Sequence, residues 1–515
     1  MATHESGPRL VLIEPDVARV DPDLERAVDR RKRKGCRSET AGREATICAE
    51  PSKHWPAPGD PAWHLSDAFS QLDSARREVE AARDPAEPRI RIVHLDTGFD
   101  EDFVALPAGL DRSRSLDFVG GDPPAPPAHD PAHGCFGCQP GHGTGTQSLL
   151  AGSEMTIRDA AGRVLRRGPL GGAPDAEVFD YRISDSVIHL TTGRMVKAFS
   201  RAFVDEADVL SMSMGGLPSY ALRDAVNEAY ERGVAMFCAA GDFFQPPLLP
   251  LRSPKSVVYP ARFGRVVAVT GATADRKTYA RAANIFSWLR GEVGSWSLRG
   301  SYGPASAMGH AIAAYTPNVP WAVLSKDTPS NLLALDGAGT SASTPQVAAA
   351  AALWLERHRT ALGPHWRTWR KTEAVYHALF ASADAGAAGD AKRRAYSRKY
   401  FGAGLLKARD ALRQLPTPGT LTERARSEIG FDLLELVTSF RPFADDPSPA
   451  SRARIDLLRL EAAQLAATSV RIEKLLAGLE PGEQPSRELR RRLLRALVRE
   501  PGVSSALRAA LASAQ

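Results

Sequence analysis

The sequence predicts an α/β protein, because apolar strands and helices end or begin at glycine-rich turns that carry polar residues. Three stretches support this prediction: RIRIVHLDTGFD at residues 89–100, GHGTGTQSLLAG at 141–152 and DGAGTSASTPQVAAAAAL at 336–353. The first has the pattern of a short strand, and the other two have the pattern of helices that start just after a glycine. Asp96, His142 and Ser341 are therefore each predicted to stand at the end of an element.

Ser341 has the surroundings expected of a nucleophile. Gly339 allows a tight bend before it, and Pro345 falls in the first helical turn, where a missing N–H costs little. The run of Ala and Val that follows is too apolar for a surface helix, which predicts a buried one. Free N–H groups and the helix dipole favour negative charge that develops near the hydroxyl.

Asp96 and His142 are the predicted partners of this serine. A buried carboxylate that accepts from one ring nitrogen of His142 fixes the tautomer and stabilises the imidazolium that forms during attack. The chain order Asp, His, Ser is one of three unrelated orders in which such triads occur. We therefore predict Asp96, His142 and Ser341 as catalytic residues.

DTGFD, HGTGT and GTSASTP resemble the catalytic signatures of the subtilisin-like serine peptidases, the subtilase or S8 peptidase family. Further stretches are similar to other elements of that family: GGAPDAEVFDYRI at 171–183, ADVLSMSMGG at 207–216, VAMFCAAGD at 234–242, VVYPARFGRVVAVTGA at 257–272 and FGAGLLKARDAL at 401–412. The resemblance covers about residues 88–415. It implies a three-layer α/β sandwich with a mostly parallel central sheet, and a serine endopeptidase that works through an acyl-enzyme intermediate.

The resemblance also assigns the residues that bind substrate. An extended peptide would pair by main-chain hydrogen bonds with the strand that contains Ser213, Met214 and Gly215. The side chain before the cleaved bond (P1) would enter a pocket whose wall matches Ala239, Ala240 and Gly241. Val258 stands at the pocket base, where many family members have glycine. We expect it to shorten the pocket and to favour small or medium apolar P1 residues over large aromatic ones.

Asp242 is the main departure from the family pattern. The family normally has Asn here, and its amide binds the oxyanion together with the N–H of the nucleophile, Ser341 in this chain. An ionised Asp242 opposes that negative charge, whereas a protonated one can donate its O–H. Either Asp242 serves as the donor in its protonated form, or another residue of GDFFQPP takes its place. A catalytically weak or inactive homologue that binds peptides or signals is the alternative function.

The insertion between Asp96 and His142 contains four residues able to bind zinc: His129, His133, Cys135 and Cys138. Zinc accepts two Cys and two His in tetrahedral geometry, but this spacing is not that of a standard zinc finger. An ordinary loop with reduced thiols is the preferred interpretation, and a redox-sensitive cysteine pair is a third. Zinc is therefore not expected, and no cofactor is required. Calcium often stabilises this family, but no ligand set stands out.

Two regions lie outside the resemblance. Residues 1–87 are expected to form an N-terminal extension, either a pro-segment or a cover of the core, with a helix pattern at Asp67–Arg83. Its basic cluster at 30–34 is interpreted as a solvated segment, with a processing site as the sharper hypothesis. Residues 416–515 begin with the linker-like LPTPGTLT and carry helix patterns at Ser451–Ala477 and Arg487–Glu500. We expect a small helical bundle that docks a partner or regulator, or dimerises.

Composition points to a cytoplasmic protein. The formal net charge of +6 is small for 515 residues with scattered arginines, which speaks against nucleic acid as a partner. The N-terminus does not resemble a secretory signal, and no run of 18 apolar residues predicts a membrane span. Five cysteines cannot all pair within one chain, which favours a reducing compartment. The expected partner is a protein or peptide substrate, and a regulated effector that cleaves a protein of the same cell is the sharper hypothesis.

Overall fold

A computed structural model describes residues 43–52, 55–131, 139–189, 192–244, 256–280, 298–324, 330–387 and 389–429. In the C-terminal part it describes residues 457–458, 460–462, 464–465, 469–476, 479, 483 and 485–512. The basic cluster at 30–34 and residues 132–138 of the cysteine-containing insertion lie outside these residues.

Sixteen strands occur among the described residues. In chain order they are β1 Glu44–Ala49, β2 Arg91–Asp96, β3 Leu116–Asp117, β4 Glu154–Arg158, β5 Val164–Pro169, β6 Glu177–Arg182, β7 Ile188–His189, β8 Val209–Met212, β9 Gly215–Gly216, β10 Ala235–Ala239, β11 Asp242–Phe244, β12 Val267–Ala272, β13 Leu298–Gly300, β14 Ala311–Tyr315, β15 Val319–Ala322 and β16 Leu332–Gly337.

Twelve α-helices occur in the same part of the chain. They are α1 Leu72–Ala82, α2 His142–Ala151, α3 Gly193–Val204, α4 Tyr220–Glu231, α5 Ala305–Met308, α6 Thr340–Leu362, α7 Trp369–Ser382, α8 Ala391–Tyr400, α9 Ala408–Ala411, α10 Val470–Leu476, α11 Arg487–Val498 and α12 Ser505–Ala512. Short 3-10 turns lie at Trp63–Leu65, Gly363–His365 and Pro418–Thr420. Within the described ranges, no helix is both long and apolar enough to cross a membrane.

The central element is a seven-stranded sheet in the order β14-β12-β10-β8-β2-β6-β3. All of its pairings are parallel. Its strands are apolar along almost their whole length, as expected of parallel strands that helices cover on both faces. In β2, for example, Ile92, Val93 and Leu95 are fully buried. The predicted α/β fold with a mostly parallel central sheet is confirmed.

Helix α6 packs across four strands of this sheet, namely β8, β10, β12 and β14. Its residues Thr340–Leu355 are buried almost without interruption, because side chains of Ala and Val leave little volume between helix and sheet. The helix begins after Gly339, whose φ of +83° lies in the region that glycine enters without strain. The predicted buried helix after a tight glycine turn is therefore present, and it places Ser341 at its start.

A second sheet incorporates part of the N-terminal extension. Its order is β15-β16-β1-β4-β5, so β1 lies between the strand that leads to Ser341 and a strand that follows α2. β1 pairs in parallel with both neighbours, and Ala45 and Ile47 are buried. Helix α1 packs on α6 and begins five residues later than the predicted helix. From residue 44 onward the extension is thus not a separable cover, because its main-chain hydrogen bonds join it to β4 and β16.

The described chain divides into two compact units near residue 430, later than the predicted boundary at 415. The reason is that residues 416–429 pack on the first unit: the Arg265 guanidinium, only 2% exposed, binds the Glu423 carboxylate at 2.7 Å and the Arg424 carbonyl at 3.0 Å. The second unit contains α10, α11 and α12, and helix α11 matches the pattern predicted at Arg487–Glu500. Its core is formed by apolar side chains, including Leu458, Ala462, Ile472, Leu493, Leu497, Leu507 and Leu511.

Candidate active site

The three predicted catalytic residues stand at element ends of the catalytic unit. Asp96 ends β2, His142 begins α2, and Ser341 is the second residue of α6. Two glycines allow the close approach of β2 and α2, since a Cβ on Gly143 would lie 2.1 Å from the Gly98 carbonyl oxygen. The Gly143 N–H donates to the Thr97 hydroxyl at 3.0 Å, which ties the start of α2 to the turn after β2. These contacts bring His142 beside Asp96.

Asp96 and His142 form a short hydrogen bond of 2.6 Å between Oδ1 and the ring Nδ1. The Asp96 carboxylate is fully buried and also accepts from the Thr97 N–H at 2.8 Å and the Thr146 hydroxyl at 3.1 Å. Burial alone would raise the pKa of Asp96, but the His142 and His94 rings and the Thr97 N–H outweigh it and lower the pKa. Asp96 is therefore held ionised and directed at one nitrogen of His142.

Ser341 and Ser213 exchange two hydrogen bonds. The Ser341 hydroxyl donates to the Ser213 carbonyl at 3.1 Å, and the Ser213 hydroxyl donates to the Ser341 carbonyl at 3.0 Å. Within the described residues, the Ser341 hydroxyl is thus bonded to the residue that follows β8, and not to His142.

Asp242 lies directly beside the start of α6. Its carboxylate oxygens are 3.0 and 3.2 Å from the Thr340 amide nitrogen, whose N–H they accept, and one oxygen is 3.3 Å from the Thr340 hydroxyl. Burial raises the pKa of Asp242 to about 7, although the hydrogen bonds from Thr340 act in the opposite direction. Asp242 therefore neighbours the residue before the nucleophile, where the sequence resemblance places it.

Val258 fills the space between the predicted substrate strand at Gly215 and the predicted pocket wall at Gly241. A Cβ added to Gly215 would lie 2.3 Å from one Val258 methyl group, and a Cβ on Gly241 would lie 2.9 Å from both methyl groups. The Val258 N–H donates to the Ala240 carbonyl at 3.0 Å, which fixes its position along the pocket wall. The gap between these walls is thus occupied by a branched side chain.

The predicted substrate strand is not a free edge at every position. The Gly215 N–H donates to the Val187 carbonyl at 3.1 Å, and β9 pairs in parallel with β7. The Val187 N–H in turn donates to the side-chain oxygen of Gln139 at 3.0 Å. The Met214 side chain is buried. A peptide that pairs with Gly215 must therefore displace the Val187 carbonyl.

The possible zinc ligands are only partly covered by the structure. His129 is exposed, and His133, Cys135 and Cys138 lie outside the described residues. Within the described ranges, no group of three or more His, Cys, Asp or Glu residues is arranged to hold a metal ion. Cys238 is a free thiol, and burial raises the pKa of this thiol.

Two groups of functional interest were not predicted. Trp321 on β15 packs edge-on against the His142 ring, with 5.6 Å between ring centroids. Behind Asp96, a second buried histidine, His94, pairs with Asp180. The sequence signal for this pair is a polar residue inside each of two apolar strand patterns, RIRIVHLD and EVFDYRI. Such isolated polar residues in buried strands need partners.

Comparison with known proteins agrees with this fold. Residues 90–404 match the Subtilase family of S8 peptidases, so the chain belongs to that family. It is 28% identical over 221 residues to subtilisin DY of Bacillus licheniformis, covering 43% of this chain and 65% of that protein. It is 26% identical over 282 residues to subtilisin E of Bacillus subtilis strain 168 and to a subtilisin of Bacillus pumilus. Those matches cover 54% of this chain, and 62% and 86% of the respective relatives.

The chain thus spans slightly less than two thirds of the length of the first two of these relatives. Among solved structures, the prenylagaramide maturation protease PagA is similar with a TM-score of 0.44 and 19% identity. That match covers 67% of this chain and 97% of PagA.

Proposed function

We propose that the protein is a serine endopeptidase that hydrolyses peptide bonds through Ser341, His142 and Asp96. Membership of the Subtilase family supports this class of activity. The observation that carries the proposal is the 2.6 Å bond between buried Asp96 and His142, with Ser341 at the start of a buried helix. A histidine and a serine with purely structural roles would need neither a buried carboxylate on the ring nor a place at the start of a buried helix.

The proposed reaction follows from these positions. Ser341 Oγ attacks the peptide carbonyl while His142 takes its proton, and His142 then gives that proton to the leaving amine. The Asp96 carboxylate holds the ring tautomer and stabilises the imidazolium. Water then attacks the acyl-enzyme, with His142 again acting as base, and releases the second product.

The oxyanion of the tetrahedral intermediate is proposed to be bound by two donors. One is the Ser341 N–H, which belongs to the first turn of α6 and has no acceptor within the helix. The other is Asp242 in its protonated form, since an ionised carboxylate would repel the oxyanion. The raised pKa of Asp242, about 7, supports a protonated fraction at neutral pH.

The proposed substrate is an extended peptide with a small or medium apolar P1 residue. The Val258 methyl groups leave little depth between Gly215 and Gly241, so a large aromatic ring would collide with them. The peptide main chain would pair with the strand beyond Ser213 after the Val187 carbonyl has left Gly215.

A reducing, cytoplasmic setting and a regulatory role for the C-terminal helices belong to the same proposal. The free thiol of Cys238 supports the first, and alkylation of all five cysteines in protein taken directly from cells would test it. The separate helical unit supports the second. Loss of a co-purifying regulator, or a changed peptidase rate, in a chain shortened after residue 430 would test it.

A catalytically weak, peptide-binding protein is the second candidate function. The observation that favours it is the Asp242 carboxylate at the position of an oxyanion donor. The deciding experiment measures hydrolysis of peptides that differ only at P1 (Ala, Val, Leu or Phe), from pH 5 to 9. The peptidase proposal predicts turnover that Ser341→Ala abolishes. Ser343→Ala, which removes a buried hydroxyl bonded to the Ala314 carbonyl, should retain it. Saturable binding without turnover would favour the second candidate.

A further inference from the structure

A second histidine–carboxylate pair lies buried behind the triad. His94 Nδ1 is 2.7 Å from Asp180 Oδ2, and both side chains are fully buried. The other ring nitrogen, His94 Nε2, is 2.9 Å from the Thr146 hydroxyl, which is 3.1 Å from Asp96 Oδ2. Hydrogen-bond distances thus connect Asp180, His94, Thr146, Asp96 and His142 in one chain.

The groups that face this chain come from four elements. β2 contributes His94 and Asp96, and β6 contributes Asp180. Helix α2 contributes His142 and the neutral side chains Thr146 and Gln147, and the Gln147 amide donates to Asp180 at 2.8 Å. β8 contributes the neutral Ser211, which lies opposite His94 in the register. Two carboxylates and two imidazoles are therefore the ionisable groups of this cluster within the described residues.

The inner pair retains one shared proton. Burial raises the pKa of Asp180. Burial opposes protonation of His94, but the Asp180 and Asp96 carboxylates outweigh it and raise the pKa of His94. Together with the 2.7 Å contact, these directions favour a proton held between Asp180 and His94 Nδ1 in addition to a proton on Nε2. The Nε2–H then donates to the Thr146 oxygen.

The direction of that bond decides where the Thr146 proton goes. Three acceptors lie within reach of the hydroxyl: Asp96 Oδ2 at 3.1 Å, the Gly143 carbonyl at 3.1 Å and the His142 carbonyl at 3.2 Å. When His94 Nε2 donates, the hydroxyl proton is free to bond the charged acceptor, which forms the stronger bond. If Nε2 lost its proton, the hydroxyl would donate to that nitrogen instead, and Asp96 would lose a donor.

We propose that His94 and Asp180 are positioning residues of the triad, which act through Thr146 to fix the hydrogen bond from the Thr146 hydroxyl to Asp96 Oδ2. The inference rests on the proposed peptidase function for its kinetic readout. The bond lowers the basicity of Asp96 and fixes its plane, so it sets how strongly Asp96 attracts protonated His142. None of the three residues contacts the reacting atoms.

Two variants break the connection at different points. Thr146→Val removes the hydroxyl. Asp180→Asn removes the shared proton, so that Nε2 of a neutral His94 accepts a hydrogen bond from the Thr146 hydroxyl. Each should lower kcat about three- to tenfold with little change in KM, as expected for one hydrogen bond. Each should also move the acidic limb of kcat/KM upward by about half a pH unit, because a more basic Asp96 stabilises protonated His142.

The double variant separates positioning from general destabilisation. Both changes remove the same bond, so their combination should shift the limb no further than either alone. Thr146→Ser should restore the wild-type profile, and Thr270→Val, which removes a buried hydroxyl in β12, should leave the limb in place. Thermal unfolding identifies variants that fold. If Asp180→Asn does not fold, Thr146→Val and its serine counterpart decide the matter.

The proposal would be overturned if the acidic limb of kcat/KM does not move in folded Thr146→Val. It would also be overturned if the shifts of the two single variants add up in the double variant. Ring-nitrogen NMR of His142 supplies a readout that needs no turnover. A variant-dependent shift of the His142 titration in a protein that hydrolyses no peptide would uphold the positioning role and reject the peptidase. Turnover with an unshifted titration would do the reverse.

Discussion

At the scale of single residues, the proposed oxyanion role of Asp242 predicts how the activity depends on pH. The Asp242 carboxyl group accepts the Thr340 N–H, next to the place where the oxyanion is proposed to form. A carboxyl with a pKa of about 7 is protonated in acid and loses its proton as the pH rises through neutrality. The useful donor is therefore lost on the alkaline side, so turnover should fall as the pH rises above neutrality.

Asp242→Asn should remove the alkaline limb of this profile. An amide donates at every pH and does not repel the oxyanion, so the ratio of variant to wild-type kcat should rise with pH and reach about 10²-fold near pH 9. The measurement is kcat from pH 5 to 9, with Asp390→Asn, an exposed helix cap, as the control. An alkaline limb that persists in Asp242→Asn would show that another group causes it.

Val258 is the residue from which P1 selectivity is predicted. Val258→Ala removes two methyl groups from between Gly215 and Gly241, so kcat/KM for Phe relative to Ala at P1 should rise by about tenfold or more. The measurement compares matched peptides. Val257→Ala, a neighbouring substitution at a buried position, should lower stability without changing the ratio. A Phe preference already present in the wild-type protein would contradict the assignment of Val258 to the pocket.

At the scale of elements, the substrate edge and the N-terminal strand are each held by other parts of the chain. β9 pairs with β7, next to the bond from the Gly215 N–H to the Val187 carbonyl, and the Val187 N–H donates to the side-chain oxygen of Gln139. β1 fills the middle of the second sheet, between β16 and β4. Proteolytic processing that leaves this sheet intact must therefore cut before Glu44.

Gln139→Ala should ease the entry of extended peptides. The variant loses the acceptor of the Val187 N–H, so the Val187 carbonyl leaves Gly215 more readily and KM should fall about two- to tenfold. A minimal ester substrate, too short to reach Gly215, should show no such change. Gln71→Ala, which loses a bond to Asp410 far along the chain, provides a control variant. An unchanged or raised KM for the long peptide would refute this role of the β7 pairing.

These elements also show how far the sequence alone could predict the structure. The motifs around Asp96, His142 and Ser341 were identifiable because strand, turn and helix signals lie within about ten residues of each. The place of β1 was not, because its partners β4 and β16 lie more than a hundred and almost three hundred residues away. The His94–Asp180 pair was missed because its members are far apart in the chain, and only the parallel pairing of β2 with β6 brings them together.

At the scale of the whole molecule, the catalytic unit extends further than the family resemblance indicates. Residues 416–429 complete the environment of Arg265, whose buried guanidinium binds Glu231, Glu423 and the carbonyl of Arg424. Ser427 adds mutual hydrogen bonds with Asn227. The linker-like composition of this segment did not predict this structural role, because its contacts are made by main-chain groups and scattered polar side chains.

Truncation should reveal this extension directly. Removal of residues 416–515 deletes the Glu423 partner of Arg265 and the bonds of Ser427 to Asn227, and should cost about 1–3 kcal/mol of unfolding free energy relative to removal of 431–515. Urea unfolding of the two shortened chains gives the difference. Glu423→Gln in the full chain tests the ionic part separately. Equal stability of the two truncations would contradict the contribution of residues 416–429.

Covalent labelling shows whether Ser341 is a nucleophile activated by His142 and Asp96. A fluorophosphonate probe should modify the protein once, at Ser341 as located by peptide mass mapping. Ser341→Ala and His142→Ala should abolish labelling, while Ser343→Ala should retain it. A folded protein that is not labelled at any pH from 5 to 9, even as Asp242→Asn, or is labelled elsewhere than at Ser341, would contradict the claim.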